Sequence, residues 1–133
     1  MGKEPQEARV SETILLVDDD KGVRKLARRT LEQEGYTVLA AKDADEALRL
    51  AQESAGAIRL LLTDLVMPGM DGRTLANHLQ VRYPKMQVLY MSGYKDYAIG
   101  VNAALEPGAN YLSKPFTPDS LTRAVREVLR QKG

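Results

Sequence analysis

The chain has 133 residues, 44% of them hydrophobic and 28% charged, which suits one globular domain with a core of its own. A net charge of +1 gives no field toward nucleic acid or membrane, so neither direct nucleic-acid contact nor membrane contact is expected. The absence of Cys excludes disulfides, a thiol nucleophile and thiolate metal sites, and a single His, His78, excludes any site built on two imidazoles.

Residues 1–12 are polar and aperiodic, and read as a disordered lead or the remnant of a linker. No leader peptide or membrane-spanning run is visible, so a cytoplasmic location is expected. From Thr13 onward short apolar runs alternate with longer amphipathic stretches, the pattern of βα units around a parallel sheet. The first run, Ile14-Leu15-Leu16-Val17, ends at Asp18 and Asp19. A helix is predicted over 21–34 from Val23, Leu26, Ala27, Thr30 and Leu31, with Gly35 as its stop. The second strand is predicted over 36–40. A helix follows, with Asp43 as N-cap, Glu46 completing a capping box, and Ala44, Ala47, Leu48 and Ala51 facing inward. The third strand, 58–63, ends at Asp64 and opens into Leu65-Val66-Met67-Pro68-Gly69-Met70-Asp71-Gly72, a loop dense in turn formers. Leu75, Leu79 and Arg82 begin the next helical face, and Pro84 ends it. The fourth strand, 87–91, ends at Ser92. A fourth helix is predicted over 96–105, weakened by Gly100 and broken by Pro107-Gly108. The fifth strand, 110–113, precedes Lys114-Pro115. Thr117 then caps a last helix whose first turn holds Pro118 and whose buried stripe is Leu121, Ala124, Val125, Val128 and Leu129.

Five strands with short crossovers predict a doubly wound α/β sheet of order 2-1-3-4-5, with helices on both faces. Ligands bind such sheets at the switch point, here the C-terminal ends of strands 1 and 3. Asp18, Asp19 and Asp64 fall there. Packed carboxylates repel, and a hard cation such as Mg²⁺ relieves them. Asp19 and Asp64 are the expected direct ligands, Asp18 binds directly or through water, and the backbone carbonyl of Val66 fills another position. Three Asp, one Mg²⁺ and Lys114 sum formally to zero. A phosphoryl group on Asp64 adds negative charge that Lys114, the hydroxyl of Ser92 and backbone N–H groups beyond Asp64 can meet. Asp64 is thus the candidate nucleophile, or phosphoacceptor. Each signal also has a bland explanation. Asp runs cap helices, Ser-Gly and Lys-Pro after strands are turns, Tyr111 packs on a strand, and His78 is an exposed helix residue. Their coincidence at four strand ends of one sheet is what points to function.

Together these segments resemble the receiver domain of two-component response regulators. The matching residues are Ile14-Leu15-Leu16-Val17-Asp18-Asp19-Asp20, Leu62-Thr63-Asp64 through Asp71-Gly72, Met91-Ser92-Gly93-Tyr94 and Lys114-Pro115-Phe116. The resemblance covers residues 13–131 and implies a flavodoxin-like fold. It implies that Asp64 accepts a phosphoryl group from a histidine kinase or histidine phosphotransfer domain, and that Asp18 and Asp19 form the Mg²⁺ pocket. It also implies that Ser92 and Lys114 hold the phosphoryl group, and that Tyr111 swings inward as Ser92 moves. Such a domain is a signalling module, not an enzyme, beyond its own Mg²⁺-dependent phosphorylation and dephosphorylation. The face of the fourth helix, strand 5 and the last helix is the expected output or homodimer surface. The first helix, with Arg24, Lys25, Arg28 and Arg29, is the expected kinase-docking surface. Gly93 stands where many receivers carry Ala. The pattern around Ser92, Glu106-Pro107-Gly108 and Lys114 looks like receivers of hybrid sensor histidine kinases, and a stand-alone regulator fits the same residues.

Two other classes compete. A haloacid-dehalogenase-like phosphatase would use Asp18 as nucleophile and Asp20 as acid–base, leaving Asp64 without a role. A flavodoxin-like nucleotide binder needs a Gly- or Ser/Thr-rich loop after strand 1, where this chain has three acids. A pseudo-receiver that works through protein contacts alone is the remaining alternative.

Overall fold

The computed structural model of the chain describes residues 12–54, 56–93 and 109–131. In order these form β1 (Thr13–Val17), α1 (Lys21–Gln33), β2 (Thr37–Ala41), α2 (Ala44–Glu53) and β3 (Ile58–Asp64). Next come α3 (Gly72–Arg82), β4 (Gln87–Ser92), β5 (Asn110–Ser113) and α4 (Pro118–Arg130). The strands pair in parallel in the order β2-β1-β3-β4-β5, as the alternation predicts.

The reason lies in where each apolar run can be buried. In β1 and β3 Ile14 through Val17 and Leu60 through Leu62 are fully buried, so side chains on both faces need cover. Odd-numbered Leu15, Val17 and Leu61 meet the Ala44, Ala47 and Ala51 stripe of α2 and Leu75, Ala76 and Leu79 of α3. Even-numbered Ile14, Leu16, Leu60 and Leu62 meet Ala27 and Leu31 of α1 and Leu121, Val125 and Val128 of α4. The period of 2 along the strands thus sorts residues to two helical layers.

Four helices start on side-chain caps. Asp20, Asp43, Asp71 and Thr117 accept from the N–H groups of Val23, Glu46, Thr74 and Ser120. Among the described helices only the one capped by Thr117 completes a capping box, with Ser120 reciprocating. Glu46 instead accepts from Lys42 N–H at 2.9 Å, one residue before the cap.

Several expectations are corrected. Leu26 is 43% exposed, because α1 covers the sheet with a stripe narrower than its apolar spacing suggests. Of the predicted α3 face, Leu75 and Leu79 are buried and Arg82 is exposed. β2 runs one residue later than predicted, and β3 and β4 include Asp64 and Ser92 themselves. Glu12 is not part of the lead: its carbonyl accepts from Thr37 N–H at 3.0 Å beside the β1–β2 pair. Residues 1–11 and the predicted fourth helix, with Tyr94 and Glu106-Pro107-Gly108, lie outside the described residues.

Candidate functional site

Parallel strands deliver their C-terminal ends to one edge, and four of them carry the polar groups. The register pairs Val17 with Thr63, Asp64 with Met91, and Ser92 with Ser113. Asp18 therefore follows β1 next to Asp64, and Lys114 follows β5. One carboxylate oxygen from each of Asp18, Asp19 and Asp64 lies within 4.8 Å of the others. Asp18 and Asp64 are fully buried and Asp19 is exposed. The Lys114 ammonium reaches across to Asp18 Oδ2 at 2.9 Å and Asp64 Oδ1 at 3.3 Å. Burial works against that ammonium, but the hydrogen bond to Asp18 and the charges of Asp64 and Asp18 outweigh it, so its pKa stands above the ordinary lysine value.

Other contacts hold the carboxylates still. Asp18 Oδ1 accepts from Asp20 N–H at 2.8 Å, and the Arg24 guanidinium donates to the Asp18 carbonyl at 2.8 Å. Asp20 itself turns its side chain to cap α1. This counters the phosphatase alternative, in which Asp20 would serve as the acid–base partner of Asp18.

Three carboxylates against one ammonium leave a formal charge of −2 (−3 + 1). An all-oxygen donor set of that charge, open on the Asp19 side, fits a hard divalent cation.

Ser92 is buried at the end of β4, and its carbonyl accepts from Lys114 N–H at 2.9 Å, which fixes the two strand ends together. Val66 is half-buried in the loop beyond Asp64. Tyr111 lies back from the acidic cluster on β5, where its ring stacks on Tyr90 at 5.4 Å between centroids and 25° between planes. His78 is exposed on α3, as expected of an ordinary helix residue. Sequence reasoning missed two residues that shape the site. Arg24, expected on the kinase-docking surface of the first helix, is instead half-buried and donates to the Asp18 carbonyl. Gly72 opens α3, where a Cβ would overlap the Asp64 carbonyl oxygen. Its signal was present: Gly is a poor helix former, so one at a helix start suggests a steric demand.

Known proteins share this fold and much of this sequence. Residues 14–126 match the family described as response regulator receiver domain. The chain is 36% identical over 122 residues to the sensor kinase CckA of Brucella abortus, covering 92% of this chain and 13% of that protein. It is 38% identical over 120 residues to the response regulator FleR of Pseudomonas aeruginosa, covering 89% of this chain and 25% of FleR. Among solved structures, the receiver domain of the hybrid histidine kinase CckA superposes with a TM-score of 0.74 at 37% identity, covering 88% and 98% of the two chains. The chain thus spans a quarter or less of those curated relatives while covering nearly all of the solved CckA receiver domain. With fold, acidic cluster and family match in agreement, the chain belongs to the response regulator receiver domain family and is a receiver domain of two-component systems.

Proposed function

We propose that Asp64 is the phosphoacceptor of this receiver, that Asp18, Asp19 and Asp64 with the Val66 carbonyl hold Mg²⁺, and that Lys114 and Ser92 hold the phosphoryl group. The supporting observation is the meeting of Asp18, Asp19, Asp64 and Lys114 at one sheet edge. Receiver domains bind Mg²⁺ through an acidic cluster and exchange phosphoryl groups with histidine kinases or phosphotransfer proteins. When bound, the cation supplies positive charge where the incoming group brings negative charge. The chain's own residues do the rest. A carboxylate oxygen of Asp64 attacks phosphorus while the bond to the donor's leaving atom breaks. The ammonium of Lys114, already 3.3 Å from Asp64, moves its charge onto a phosphoryl oxygen. The Ser92 hydroxyl donates to another, and N–H groups of the loop after Asp64 to a third.

Ser92 drawn toward the phosphoryl group would vacate space on the side of Tyr111, the aromatic of the switch. A bias of a few kcal/mol is enough to move such a two-state equilibrium. The output surface is the face of β5 and α4 with the segment between β4 and β5, and serves a partner or a second copy. The kinase or phosphotransfer domain docks on α1, where Lys25, Arg28 and Arg29 are exposed beside Leu26. The domain works in the cytoplasm, as a stand-alone regulator or as the receiver of a hybrid kinase. No helix among the described residues is long and apolar enough to cross a membrane.

Intact mass after incubation with acetyl phosphate and Mg²⁺ tests the assignment. Wild type should gain one phosphoryl group, Asp64→Ala none, and a chelator should abolish the gain. Equal labelling of Asp64→Ala would remove Asp64 from its role, and labelling lost only in Asp18→Ala would favour the phosphatase alternative.

A further inference from the structure

Among the described residues five polar side chains are buried: Asp18, Thr30, Thr63, Asp64 and Ser92. Asp18, Asp64 and Ser92 belong to the site above. Thr63 is fully buried beside them and has no part in that chemistry. Its hydroxyl donates to the carbonyl oxygen of the next residue, Asp64, at 3.0 Å. The paired register of β1 with β3 ends at Val17 and Thr63, so the Asp64 carbonyl lies one residue past it. The hydroxyl supplies a donor where the ladder stops.

The Asp64 carbonyl and the Leu65 N–H belong to one peptide plane. Its nitrogen end is held as well, since Leu65 N–H donates to the Met91 carbonyl at 2.9 Å. Gly72 packs its bare α-carbon against the same carbonyl, leaving no room there for a Cβ. A plane anchored at oxygen and at nitrogen cannot turn without breaking a buried hydrogen bond. Directly beyond it runs the loop that carries Val66, closed on itself by Gly72 N–H donating to the Leu65 carbonyl at 2.9 Å.

We propose that the Thr63 hydroxyl is a positioning group: it locks the Asp64–Leu65 peptide plane and so presets the main-chain path from Asp64 to Val66 for cation binding. This rests on the reading that the acidic cluster holds Mg²⁺. Preset geometry strengthens a site by removing the ordering that binding would otherwise require. A side chain such as Val, equal in shape but lacking the donor, would leave the carbonyl buried without the hydroxyl and the loop freer to turn.

The test titrates wild type, Thr63→Val and Thr63→Ser with MgCl₂ by calorimetry, and follows exchange of the Leu65 amide hydrogen by NMR in chelator. Thr63→Val should weaken Mg²⁺ binding about tenfold, the lower range for a lost partner behind a metal ligand, and should exchange Leu65 faster. Thr63→Ser keeps the hydroxyl and should stay close to wild type in both readouts. Thr63→Ala, also without the hydroxyl, serves if the Val variant does not fold. A Thr63→Val protein with wild-type Mg²⁺ affinity and wild-type Leu65 exchange would overturn the inference, whatever its thermal midpoint. No Mg²⁺ binding by wild type would instead overturn the metal reading, and with it the role assigned to the lock in cation binding.

Discussion

Lys114→Met should unfold far more easily than wild type in chelator and regain most of the loss in Mg²⁺. The Lys114 ammonium is the cation between two fully buried carboxylates, at 2.9 and 3.3 Å. Met fills a similar volume but leaves those charges facing one another. Removing one partner of a buried ion pair costs roughly 3–5 kcal/mol. The formal charge of the cluster goes from −2 to −3 (−2 − 1), so the variant should attract a divalent cation more strongly than wild type does. Saturating Mg²⁺ at about 100 times its dissociation constant returns about 2.7 kcal/mol. Asp64→Asn should do the opposite. It removes a buried carboxylate repelled by two others and attracted by one ammonium, so the chelated protein should gain about 1 kcal/mol and lose most of its response to Mg²⁺. Thermal melts of the three proteins with and without Mg²⁺ decide the matter. A Lys114→Met protein whose Mg²⁺ response is no larger than wild type's would show that Lys114 does not balance the acids.

Gly72→Ala should be the most damaging single-methyl change in the described chain. The new Cβ would overlap the Asp64 carbonyl oxygen and come within 3.1 Å of both the Asp64 carbonyl carbon and Thr63 Cγ2. These neighbours are backbone and a buried strand side chain, neither of which gives way. Either the start of α3 or the end of β3 must move. Overpacking of this kind costs about 3 kcal/mol, a fall of roughly 10 °C in Tm for a domain of this size. Gly93→Ala is the matched control. There a Cβ would meet Lys114 Cβ at 3.5 Å and Cδ at 3.6 Å, ordinary contact with a flexible stem, so the Tm should stay close to wild type. Equal effects at the two positions would mean that loss of glycine as such, and not contact with Asp64, is what matters.

The strand order and the acidic cluster were legible because a parallel strand buried on both faces reads as an unbroken apolar run. The polar residue that ends such a run marks the sheet edge. Asp18, Asp64, Ser92 and Lys114 stood out on that ground alone. Leu26 misled because helical spacing tells which residues share a face but not how much of that face the sheet covers. Arg24 misled because its reach to the Asp18 carbonyl depends on how α1 leaves β1, which its place in a basic stretch does not show. Thr63 was invisible for a different reason. Thr is an ordinary strand residue, and its hydroxyl gains meaning only where the ladder of β1 stops. Glu46 sat at the spacing of a capping box, and a one-residue difference in which N–H it accepts from lies below what spacing resolves.

The stacked rings of Tyr90 and Tyr111 bear on how this protein can be watched. The chain holds no Trp, one Phe and six Tyr. Two of those six phenols lie 5.4 Å apart and 25° from parallel, on paired residues of β4 and β5, with Tyr90 two residues before Ser92. Stacked rings at that spacing contribute to the near-ultraviolet circular dichroism together, beside the other four tyrosines. Parting the rings changes that joint contribution. The domain thus carries a built-in chromophore at its β4–β5 seam, readable without a dye, a label or an engineered residue.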